Sequence, residues 1–160
     1  MSKDTQIIIL QDTKEKTPWD FTIYKDVKGQ VKKGLKTGDY TVRGYESLIC
    51  LERKKSTGEI CTNLGTKYTQ FRAEFDRMQA FELRCVICEF PAYNILDFPR
   101  NSGIPQRKWK WLRINGKFLY KRFFELSEEY AVPLYFTNNS TEAQELAIRL
   151  IREKICQENN

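Results

Sequence analysis

Asp39, Glu52 and Lys54 are the residues best placed to do chemistry in this chain, because their spacing lets two carboxylates and an ammonium meet. Twelve residues separate Asp39 from Glu52: strand formers Thr41 and Val42, a turn-like Gly44-Tyr45-Glu46-Ser47, and the apolar run Leu48-Ile49-Cys50-Leu51. This pattern predicts a hairpin folded about residues 45 and 46, with Asp39 opposite Glu52. Side chains alternate along a strand, so Glu52 and Lys54 share one face and Arg53 points to the other. An apolar strand that ends in three charges is costly unless those charges find partners. A divalent metal and a phosphate would supply them. Asp39, Glu52 and the backbone carbonyl after Glu52 are oxygen ligands of the kind Mg²⁺ or Mn²⁺ takes. Asp12 or Glu15 completes or extends the set if the first strand lies beside the hairpin. The metal would polarise the phosphate and lower the pKa of a water. Lys54 would orient or deprotonate that water, or neutralise transition-state charge. Arg53 would brace the site by pairing with a carboxylate such as Glu74. The plainer reading is a surface hairpin with solvated ion pairs, each worth well under ~1 kcal/mol.

Composition narrows the chemistry further. The chain has 160 residues and no histidine. Ser-His-Asp and Cys-His hydrolysis, His-ligated zinc and a histidine base are therefore excluded. Hydrolysis here has to run on carboxylates, lysines and hard metals. Five cysteines, an odd number at loose spacing, are expected to be reduced thiols. Cys85-Val86-Ile87-Cys88 falls within an apparent strand, whose alternation sends the two thiols to opposite faces. The net charge of +6 suits a polyanionic partner. No stretch approaches the ~18 apolar residues of a membrane span, and residues 1–6 lack a signal-peptide pattern. The expectation is a soluble intracellular protein, in the cytoplasm, in a host's cytoplasm if phage-encoded, or in a nucleus, with no membrane partner.

The elements that must position the site follow from periodicity. Ile7-Ile8-Ile9-Leu10 reads as a buried strand with Asp12 at its end, and 19–24 as another strand. Residues 26–37 read as a loop or ragged hairpin, and 56–65 as a polar connection. Tyr68, Phe71, Phe75, Met78 and Phe81 form one apolar stripe, predicting a helix over 67–82. Residues 83–90 read as a strand covered on both faces. Residues 91–117 read as irregular, 117–130 as a helix, and 132–136 as a strand. A last helix runs to about residue 156, capped within Asn139-Ser140-Thr141, with Thr141 and Gln144 spaced as a capping box. The order implies one α/β domain over 1–160, core about 7–156: a mixed central sheet flanked by helices.

Gly38-Asp39, a spacer and Glu52-Arg53-Lys54 resemble the signature of the XPF-type structure-selective endonucleases, within the PD-(D/E)xK restriction-endonuclease-like superfamily. Asp12-Thr13-Lys14-Glu15, Leu35 to Tyr40, Phe71-Arg72-Ala73-Glu74 and Tyr130 to Phe136 resemble further family segments in the same order. The resemblance implies a restriction-endonuclease-like fold and a Mg²⁺- or Mn²⁺-dependent endonuclease acting on DNA. It implies Asp39, Glu52, Arg53 and Lys54 as catalytic residues and Asp12, Glu15, Asp39 and Glu52 as metal ligands. It also implies pairing of two copies through the nuclease domain, or a partner that gives specificity. The helicase and helix-hairpin-helix parts of larger relatives are not seen, which suggests a free-standing domain of phage or mobile-element type. The chain departs from the pattern at Gly58, where the family commonly has an aspartate four residues after the lysine; Glu59 is the nearest substitute. The alternative is a catalytically silent DNA-binding or scaffold subunit, and a site-specific restriction enzyme is a further rival.

Two basic stretches are candidate DNA contacts. Arg107, Lys108, Trp109, Lys110, Trp111 and Arg113 interleave cations with indoles. The cations would meet phosphates and an exposed ring would stack on a base or wedge a junction, unless the tryptophans anchor the loop to the core. Lys33 and Lys36, in a lysine-rich run just before Asp39, would track the DNA backbone.

Overall fold

The computed structural model describes residues 5–160. Six strands form one mixed sheet in the order β2-β1-β3-β4-β5-β6. They are β1 (Ile7–Gln11), β2 (Val27–Lys32), β3 (Tyr40–Val42), β4 (Ile49–Lys54), β5 (Leu83–Cys88) and β6 (Leu134–Phe136). The helices are α1 (Thr57–Leu64), α2 (Tyr68–Met78), α3 (Tyr93–Leu96), α4 (Gly116–Tyr130) and α5 (Ser140–Glu158). β3 runs antiparallel to both β1 and β4. The outer pairs β1–β2, β4–β5 and β5–β6 are parallel. This is the α/β mixed sheet flanked by helices that the sequence predicts.

Alternation along β4 builds the two layers. Ile49 and Leu51 join Trp19, Phe21, Tyr40 and the Ala143, Ala147, Ile151 and Ile155 face of α5. Cys50 faces the other way, into Ile60, Leu64, Phe71, Phe75 and Phe123 on α1, α2 and α4. Each large aliphatic side chain buried this way contributes roughly 1.5–3 kcal/mol. Both cores press on β4, which fixes where its charged end emerges. Cys85 and Cys88 fall in opposite cores, as strand alternation requires, and all five thiols are free.

Several elements differ from the sequence reading. Residues 19–24 form a 3-10 turn at Phe21–Ile23, not a strand. Asp20 caps it, accepting a hydrogen bond from the Thr22 N–H at 3.0 Å. Burial of Trp19 and Phe21, two apart, mimicked strand alternation. Part of 26–37 is the edge strand β2, whose exposed Lys28 and Lys32 suit an unpaired sheet edge. The polar connection at 56–65 is helix α1. Ser56 Oγ accepts from the Glu59 N–H at 3.2 Å, and Ile60 and Leu64 bury one turn apart; this N-cap signal lay in plain view. Within 91–117 stand α3 and a 3-10 segment at Gln106–Trp111. The last helix is capped by Asn139, whose Oδ1 accepts from the Glu142 N–H at 2.9 Å, rather than by Thr141.

Candidate active site

The hairpin register is the one the spacing predicts. Tyr40 pairs with Leu51, and the Asp39 N–H donates to the Leu51 carbonyl at 2.8 Å, so Asp39 lies opposite Glu52. Gly38 makes this approach: its φ is +79°, and a Cβ there would run into Cys50 Sγ. Asp39 Oδ2 then accepts the Arg53 N–H at 2.8 Å. The Asp39 carbonyl accepts the Asp12 N–H at 2.8 Å, which draws the end of β1 into the site. Asp12 Oδ1 accepts from the Leu35 N–H at 3.0 Å.

Asp12, Asp39 and Glu52 line one cleft of about 320 Å³, and Lys36 reaches its rim. Lys54 shares the face of Glu52 but sits behind it. Its Nζ lies 2.9 Å from Glu52 Oε1 and 3.5 Å from Glu59 Oε1, and 4.9 Å from the centre of the Phe71 ring. Glu52 and Lys54 are both buried. Glu52 Oε2, also buried, meets no donor and faces the Glu74 carboxyl instead, and Asn63 Oδ1, on another residue of the cleft wall, is likewise without a donor. An ionised carboxylate pair and an amide oxygen without donors are an energetic liability of roughly 1–3 kcal/mol each, which a proton shared by Glu52 and Glu74, or a cation in the cleft, would relieve.

Burial dominates the electrostatics. It pushes the Glu52 carboxyl up to about 8; the Lys54 ammonium pulls it down, and the neighbouring Glu74 raises it again. Asp39 is held well above the usual carboxylate range, by burial first and by Glu52 second. Burial works against the Lys54 ammonium, but Glu52, Glu59 and Asp39 together outweigh it and keep Lys54 above the ordinary lysine range.

Arg53 points to the opposite face, as alternation predicts, but its partner is not Glu74. Its Nε donates to Glu89 Oε1 at 2.5 Å, and its Nη1 to Glu15 Oε2 at 3.1 Å and the Thr17 carbonyl at 2.7 Å. The guanidinium lies 4.8 Å from the centre of the Trp19 ring. Glu15 is thereby held by Arg53 and by the Tyr40 hydroxyl at 2.9 Å, so the structure does not bring it to Asp12, Asp39 and Glu52. Lys33 is exposed beyond the end of β2 and away from the cleft wall. Arg107, Lys108, Trp109, Lys110, Trp111 and Arg113 lie on the connection between α3 and α4, also outside the cleft.

The sequence reading missed the far wall. Gln70, Glu74 and Arg77 line it at helical spacing on α2, with Lys67 at the helix N-cap. The signal was available: Phe71, Phe75 and Met78 fix the core face, and the polar residue one position before each lies about 100° round the helix. Gly58, the departure from the expected pattern, packs on the Ser102 backbone and accepts no Cβ without displacing it. Its N–H donates to the Ser102 carbonyl at 3.2 Å.

Among the described residues no three His, Cys, Asp or Glu side chains are gathered tightly enough to form a ready-made metal cluster. Separated carboxylates with an orphaned oxygen fit an ion such as Mg²⁺, which keeps several waters and needs only one or two carboxylates.

Two solved structures share this architecture. XPF from Aeropyrum pernix superposes with a TM-score of 0.63 at 21% identity, covering 92% of this chain and 65% of that one. XPF from Aeropyrum pernix in complex with DNA superposes with a TM-score of 0.63 at 19% identity, covering 95% and 66%. The fold is that of XPF. The chain spans slightly under two thirds of the length of those XPF chains. In sequence, no family profile and no curated protein matches it. Among the described residues no helix is long and apolar enough to cross a membrane.

Proposed function

We propose that this chain is a metal-dependent endonuclease that hydrolyses DNA phosphodiester bonds, selective for flaps, forks, junctions or nicks. The observation that carries this reading is Glu52 Oε2, a buried carboxylate oxygen without a partner in a cleft shared with Asp12, Asp39 and Glu74. An XPF of the same fold solved with DNA supports DNA as the substrate.

Asp12, Asp39 and Glu52 would hold Mg²⁺ or Mn²⁺, with the Glu74 carboxyl beside Glu52 and the Asn63 side chain in the same cleft lining. Once bound, the ion would polarise the scissile phosphate and acidify a water. The remaining work falls to the chain's own groups. Lys54 keeps its proton through neutral pH, so it acts as a fixed positive charge beside Glu52 and not as a base. The Arg53 N–H fixes one oxygen of Asp39 and leaves the other for the cleft. Lys14, Lys36, Lys67 and Arg77 ring the opening and would hold the flanking phosphates. Phe71 closes the floor beneath the Lys54 ammonium and keeps water from it.

The test is incubation with Mg²⁺ or Mn²⁺ and a labelled panel of single-stranded, duplex, flap, fork and Holliday-junction DNA, alongside Lys54→Ala. Cleavage that requires metal and Lys54 is expected, with branched DNA preferred. Binding without cleavage under both metals would overturn the enzyme and leave a DNA-binding scaffold.

A further inference from the structure

Positive charge is unevenly spread along this chain. Residues 98–124 hold eight cations and no acid, whereas the net charge of all 160 residues is +6. The rest of the molecule is slightly acidic, so attraction for a polyanion is centred on this segment. Arg107, Lys108, Lys110 and Arg113 are exposed there, and among the described residues none of the four has a carboxylate partner. Like charges gathered without counter-charges repel, and a row of phosphates would relieve that.

The two tryptophans of this segment have separate fates. Trp109 turns inward, and its Nε1 donates to the Ile104 carbonyl at 2.9 Å. Trp111 is 72% exposed, more than any other large apolar residue described. The Lys110 ammonium lies 5.0 Å from the centre of its ring. Trp111 stands on a built support. The Lys108 N–H donates to the Pro105 carbonyl at 2.9 Å and the Leu112 N–H to the Trp109 carbonyl at 3.0 Å. On one side Ser102 packs on Gly58, and on the other Ile114 packs on Gly65, so the segment grips both ends of α1. The same helix carries Asn63 into the cleft wall.

We propose that residues 107–113 form a binding site for an unpaired DNA strand. Trp111 supplies the stacking face, and Arg107, Lys108, Lys110 and Arg113 supply the phosphate contacts. A duplex would satisfy the cations but hides its base faces, leaving the indole without a partner; a single strand satisfies both. The use made of the strand rests on the nuclease reading, but its binding needs no metal.

The experiment measures anisotropy of a labelled oligo-dT and of a duplex of equal length, in EDTA so that cleavage does not enter. Trp111→Ala should weaken oligo-dT binding about tenfold and duplex binding less than about twofold. Trp111→Phe should restore most of the loss, and Lys108→Ala with Lys110→Ala should weaken both ligands and lower the salt slope. Trp111→Ala with unchanged oligo-dT binding, or with equal losses for the two ligands, overturns the site. The two readings fail separately. A wild-type protein that never cuts but loses oligo-dT with Trp111 keeps this site and not the nuclease. A protein that cuts while Trp111→Ala binds oligo-dT normally keeps the nuclease and not this site.

Discussion

The two faces of β4 carry charges of the same kinds, yet they are finished differently. On the Arg53 face, Glu89 Oε1 receives Arg53 Nε at 2.5 Å and Trp19 Nε1 at 2.8 Å, and Glu15 and Thr17 take the far end of the guanidinium. A buried charge that is paired and fully hydrogen-bonded is a structural part, and removing one partner exposes the cost of the others. On the Glu52 face, Lys54 compensates one carboxylate oxygen and the other has no partner. One face is complete without a ligand; the other is completed by a proton held between Glu52 and Glu74 or by a cation that enters the cleft and displaces it.

The largest effect should come from the open face. Glu52→Gln keeps shape but removes the charge a cation needs, and it should lower the cleavage rate by about a thousandfold or more while leaving DNA affinity nearly unchanged. Single-turnover cleavage with a parallel binding assay checks this, and a variant that cuts at the parental rate sinks the site. Next comes the closed face. Arg53→Ala strands Glu89 and Glu15 in a buried place and should cost about 3–5 kcal/mol in urea unfolding. A loss below about 1 kcal/mol would mean that the Arg53 network is no structural brace.

A smaller effect separates the walls of the cleft. Glu74→Gln should weaken Mn²⁺ binding about tenfold by calorimetry with the fold intact. Unchanged affinity would place Glu74 outside the ion's reach. The smallest is a pH dependence of stability. In the folded chain Glu52 holds its proton up to about 8, against an ordinary 4.5. Across that window the folded state binds more protons than the unfolded one, so its stability falls as pH rises through it. Urea midpoints of the metal-free protein at pH about 5.5 and about 8 should show the fall, and Glu52→Gln should flatten it. An equal slope in both proteins would assign the fall to other groups.

Much of this molecule could be read from the chain itself. The hairpin register, the shared face of Glu52 and Lys54 and the placing of Arg53 on the opposite face all follow from spacing and alternation, which are local properties. So does the inertness of the buried Cys85-to-Cys88 spacing. Short polar elements were harder. The helix that Ser56 caps leaves a faint signal because 56–65 has so few apolar residues, and so does β2, because lysines and a glycine hide an edge strand that owes its existence to β1. Trp19 and Phe21 imitated a strand because two-residue alternation of burial is also what a capped 3-10 turn can give.

The sequence by itself determined which groups are carried at the end of β4 and on which side each emerges, because a strand's period of two admits no other arrangement. Only the tertiary structure decided their company. Packing of α2 across the sheet set Glu74 against Glu52 instead of Arg53, and the path of the chain after β1 gave Asp12 to the cleft and Glu15 to Arg53. Those choices depend on contacts between residues far apart in the chain, made where two cores meet on one strand, and no local pattern records them.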